Sequence, residues 1–160
     1  MRVVLTRLSD ERHRLDVVRD DGSREGVELE TRSMLVHDLV HFAVERAAGL
    51  KRGFWGSLAA GTPMAELNDR EKSMQTMTGP VRTELQLAEA IVGPMQSAVQ
   101  GRFDRTLMLE GFRERLKPVP PWLDEAFVDR VQRDFAALRG RWKATPFRAQ
   151  LTLDWPLSGA

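Results

Sequence analysis

Cysteine is absent from the 160 residues. Disulfides, thiolate zinc sites and cysteine nucleophiles are thereby excluded, and a reducing compartment becomes the natural setting. Long apolar runs are missing too: none approaches the roughly 20 residues that a membrane-spanning helix needs. The opening stretch MRVVLTRLSDERHR has no apolar core of the kind a secretory leader carries. These absences set the expectation of a cytoplasmic chain. An excess of charge is lacking as well, since 24 basic and 23 acidic residues leave a net +1. With no global field to draw it to nucleic acid or an anionic membrane, neither partner is expected. Arginine outnumbers lysine 20 to 4, a bias that follows from codon composition in a GC-rich, bacterial-type genome more simply than from phosphate recognition.

The composition that remains, 42% hydrophobic and 29% charged, is that of a globular chain. A length of 160 residues supports one core burying roughly 70% of the unfolded surface, so a single domain over residues 1–160 is expected. RVVLTRL, HRLDVVR and REGVELE read as a three-strand meander, separated by SDER and DDGS. His13, Leu15 and Val17 share one face of the second strand. That apolar face needs a cover, and the next segment supplies it as a helix capped by Thr31 or Ser33 that stops at Gly49. In LKRGFWGSLAAGTP, Gly53 and Gly56 bracket Phe54 and Trp55 in an expected loop, where the two aromatics either plug the core or meet a partner.

Further helices are expected over residues 63–77, 81–99 with a kink at Gly93 and Pro94, 103–116 and 122–143. Basic and aromatic residues mingle between Arg102 and Arg148, among them Phe103, Phe112 and Trp142. Their helical spacing favours core packing over a nucleic-acid surface. FRAQLTLDW alternates again and reads as a strand returning to the meander, with Phe147, Ala149, Leu151, Leu153 and Trp155 on one side. The fold class is therefore α+β: a small, mostly antiparallel sheet of an N-terminal meander plus a C-terminal strand, with about five helices packed on it.

One helix carries the chemistry. In MLVHDLVHFAVE the apolar residues cover well over half of the helical circumference, while His37, Asp38, His41 and Glu45 fall within about 100° on the other side. His37 and His41, at i and i+4, can converge on one divalent cation such as zinc. Glu45 lies about 12 Å along the axis from His37, too far to share that ion with both rings, but it can orient His41 by a hydrogen bond. The third ligand has to come from His13 or from a carboxylate on another helix. Glu66, Glu71, Glu84, Glu89 and Glu110 qualify, with Glu84 and Glu89 preferred because they flank the apolar part of a helix.

The stretch HDLVH resembles the HExxH helix of zinc-dependent metallopeptidases. That resemblance implies His37 and His41 as ligands and Asp38 as the catalytic residue polarising a metal-bound water. It covers five residues, and Asp38 is one methylene shorter than the family's glutamate. The His37–Asp38 pair also resembles that of HD phosphohydrolases, an all-helical family whose upstream helical histidine has no counterpart here, since His13 falls in a strand. The order of strands, HDxxHxxxE helix and further helices is similar to small bacterial α+β proteins, which implies no activity.

Two functional classes follow. A non-enzymatic interaction or binding protein, with Phe54 and Trp55 presented to a protein partner or to a second copy, requires the fewest coincidences. The alternative is a divalent-metal-binding protein or metal-dependent hydrolase built on His37 and His41. In a purely structural reading, the polar strip pairs with arginines and backbone groups across a helix interface.

Overall fold

Alternation in the first thirty residues produces three strands in a computed structural model, which describes residues 1–68, 77–99 and 104–156. They are β1 (Arg2–Arg7), β2 (Arg12–Val18) and β3 (Arg24–Glu30), and a fourth, β4 (Gln150–Asp154), closes the sheet. All neighbours are antiparallel, in the order β3-β2-β1-β4. The register aligns Leu151, Leu5, Leu15 and Val27 across the sheet. Of this row Leu151, Leu5 and Leu15 are buried, and Val27 is packed against the core at the edge. The opposite face is polar, with Arg12 near Glu28 and Arg14 paired with Asp16.

Six helices complete the described residues: α1 (Val36–Ala48), α2 (Phe54–Ala59), α3 (Met64–Asn68), α4 (Gly79–Val99), α5 (Arg105–Arg115) and α6 (Glu125–Ala144). Helix α1 packs against both α4 and α6, and every residue from Asp38 to Glu45 is buried. Its apolar side supplies Leu39, Val40, Phe42, Ala43 and Val44 to the core. Phe42 meets the rings of Trp55 and Trp155 edge-on, at centroid distances of 5.8 and 5.3 Å. Over this span the polar residues Asp38, His41 and Glu45 are enclosed with the apolar ones and look into the protein, while Arg46 faces solvent. No described helix is long and apolar enough to cross a membrane.

The structure corrects several expectations. Thr31 and Ser33 do not cap the first helix. They lie in a π-type turn, Thr31–Leu35, whose leading amides at Arg32 and Ser33 are taken by the Glu30 carboxylate. Gly49 does end α1, in the left-handed conformation at φ 65°. The expected GFWG loop is helix α2, because a buried carboxylate from α1 receives its first amides. Helix α4 is one element from Gly79 to Val99 with Pro94 inside it, where the proline removes its own amide bond and crowds the carbonyl one turn earlier. Asp104 and Asp124 accept hydrogen bonds from Leu107 N and Phe127 N and so set the starts of α5 and α6. The final strand begins later than the alternation suggests, since Arg148 takes a positive φ of 63°. Phe147 is consequently 56% exposed, beneath the Arg7 guanidinium. Of the helix expected over 63–77, residues 69–76, with Glu71, lie outside the described residues, as does Phe103.

Candidate metal centre

Two helix faces build the site. On α1 and the turn before it, Met34, His37, Asp38 and His41 recur at three- and four-residue spacing; on α4, Gln86, Glu89, Gly93 and Gln96 do the same. The two faces oppose each other across a cavity of about 900 Å³. Phe54 from α2, and Leu67 with Asn68 from α3, form its flank.

His37, His41 and Glu89 each offer a donor atom to this cavity, and the three atoms lie within 4.8 Å of one another. The imidazoles are 4.6 Å apart between centroids and inclined at 55°. A zinc ion held at about 2.1 Å by tetrahedral donors would space them about 3.4 Å apart. The His41 Nε2 to Glu89 Oε1 separation is 3.3 Å, already at that spacing, and is an ion-pair contact when the ring is protonated.

Behind His41, Glu45 is fully enclosed, with 0% exposure. Its carboxylate accepts from three donors: His41 Nδ1 at 3.0 Å, Phe54 N at 3.0 Å and Trp55 N at 3.1 Å. With Nδ1 donating backward, Nε2 is the ring atom left facing the cavity, which is the arrangement by which outer carboxylates orient metal-ligating histidines. Burial on its own would lower the His41 pKa; the bond to Glu45, then the nearness of Glu89, outweighs it and raises the pKa to about 9. For Glu45, burial raises the pKa, opposed by His41 and the two amides. In the metal-free protein His41 is thus an imidazolium held between two carboxylates, and a metal ion would have to displace its proton.

Asp38 lines the same cavity. It is 6% exposed, and its Oδ2 is buried without a hydrogen-bond partner. Its Oδ1 lies 3.6 Å from His37 Nδ1, beyond hydrogen-bond range.

The other ligand candidates are elsewhere. Glu84 accepts from Arg52 N and holds the loop after α1. His13 is completely buried beneath the sheet, with Nδ1 3.3 Å from Thr31 Oγ1 and its ring edge-on to Trp142. It lies outside the three-donor group, and burial lowers its pKa. Glu110 is exposed on α5, and Glu66 is half-buried on α3. Phe54 and Trp55, taken together as one interaction pair from the sequence, part company: Trp55 is 1% exposed in the core, while Phe54 borders the cavity, its ring 5.9 Å from His41. Sequence reasoning named Glu89 but missed the rest of the α4 wall. Its signal was present in the spacing of Gln86, Glu89, Gly93 and Gln96, a polar and small stripe at three- and four-residue intervals.

Comparison of the chain with protein-family models, curated proteins and solved structures gave no match.

Proposed function

We propose that this protein binds one divalent first-row transition metal, zinc foremost, through His37, His41 and Glu89. The observation that carries the reading is the convergence of two imidazoles and a carboxylate within 4.8 Å, with Glu45 directing one imidazole from behind. Two nitrogens and one oxygen form a donor set of the borderline type that zinc, iron and manganese accept. Three protein ligands leave a coordination position open, as catalytic centres do and structural ones do not. Asp38 lines the same cavity and is the residue to which we assign acceptance of a proton from a bound water, the role a metal-dependent hydrolase would require.

The interaction reading has less support. Trp55 is committed to the core, and the exposed large apolar residues among those described, Leu8, Met34, Leu107 and Phe147, belong to four separate segments. Such scattered residues are ordinary on a protein surface.

Metal analysis of protein purified without chelator tests the proposal. About one equivalent of metal is expected in the wild type, and less than about a tenth in His41→Ala and Glu89→Ala, with zinc at about 100 times its Kd adding about 2.7 kcal/mol of stability. Wild-type protein with under a tenth of an equivalent, and melting unmoved by excess zinc, would overturn it.

A further inference from the structure

The cavity is much larger than an ion needs. A single metal with its open positions filled by water occupies a small part of about 900 Å³, and that volume matches sites that enclose small organic molecules, roughly 300–1,000 Å³. We infer that the space in front of His37, His41 and Glu89 binds a small organic ligand that chelates the metal through oxygen, donates a hydrogen bond to Asp38 and buries an apolar body. The inference rests on the metal reading above and names the ligand class of that site.

Two features define the class. The far wall is apolar, formed by Phe54, Leu67, Leu85 and Ala90, so it favours an aliphatic or aryl group over a hydrated one. Asp38 Oδ2 is a buried acceptor without a partner in the same cavity. Buried polar atoms are nearly always satisfied, and an N–H or O–H on the ligand would complete this one. The ligand therefore carries its chelating oxygen beside an N–H or O–H group, as in an amide, a hydroxamate or a hydroxy-carbonyl compound.

The cobalt-substituted protein provides the test, using benzohydroxamate as the probe and acetohydroxamate and inorganic phosphate as comparisons. Benzohydroxamate chelates through two oxygens, carries an N–H for Asp38 and has a phenyl ring for the apolar wall. It is expected to shift the visible cobalt bands at micromolar concentration, at least tenfold more tightly than acetohydroxamate, which lacks the ring. Phosphate, which has no apolar body to bury, should likewise bind at least tenfold more weakly. Asp38→Asn should keep its cobalt and lose about tenfold in benzohydroxamate affinity. Cobalt bands that appear on metal addition but do not respond to millimolar benzohydroxamate, or that respond equally to all three probes, would overturn the ligand inference and leave the metal centre standing. No protein-bound cobalt spectrum at all would remove the metal centre itself.

Discussion

The outer face of the sheet and the inner side of α1 use similar side chains at similar separations. Arg14 and Asp16 meet at 2.9 Å on the sheet, with 44% and 28% of their side chains exposed. His41 and Glu45 meet at 3.0 Å on the helix, with 2% and 0% exposed. Distance does not distinguish the two pairs; enclosure does. On the sheet, water screens each charge and would solvate either partner if the other left. Glu45, with no exposure, has no water to substitute for a missing partner, so it is held to one geometry. Ordinary residues become a site by losing their solvent.

The strongest test of that contrast is Glu45→Ala. Removing a carboxylate that serves three buried donors should cost about 3–5 kcal/mol, read as a large fall in the denaturant midpoint, and should lower metal affinity at His41. A result under 1 kcal/mol would erase the difference between the two regions. Gly53→Ala should follow at about 1–3 kcal/mol, because the added Cβ would stand 2.4 Å from Glu45 Oε2 and 2.5 Å from its Cδ. Glu45 cannot retreat without releasing its amides, and an unaltered melting temperature would show that it can.

A pH titration of the metal-free protein separates the regions by charge state. His41 has its pKa raised from 6.5 to about 9 in the folded chain. Its favourable contribution is fully present below pH 6.5 and is lost as the pH rises through 9. Wild-type stability should therefore decline across this window, and His41→Gln should decline less; parallel curves would contradict the buried ion pair. The smallest effect belongs to the sheet. Glu28→Ala removes the partner that lies 3.6 Å from Arg12 and should change stability by less than about 0.5 kcal/mol, measured by the same denaturant titration.

The two regions also differed in how well sequence alone exposed them. Strand alternation is a local signal with period two, so the meander and the return of a last strand to it were readable, down to His13, Leu15 and Val17 sharing the buried face, though not that β4 pairs with β1. The polar strip of α1 was readable for the same reason, being a matter of angle around one axis. What joins helices was not. Glu84 and Glu89 looked equivalent in sequence, yet five residues rotate about 140° around a helix, so that one reaches the Arg52 amide and the other His41. Helix α2 was mistaken for a loop because its amides are received by Glu45, from a different element, eight residues or more before them in the chain. A cap of this kind leaves no mark within its own segment.

The Glu45 carboxylate also ties the aim of the second imidazole to the docking of α2. While α2 is undocked, the amides of Phe54 and Trp55 are elsewhere, and the carboxylate that aims the second imidazole has nothing to hold it still. The proposed ligand set is therefore not a property of the HDLVH segment, and a peptide bearing that segment would lack it. It needs α1, α2 and α4 together, so metal capture by this chain would report that these three helices have docked.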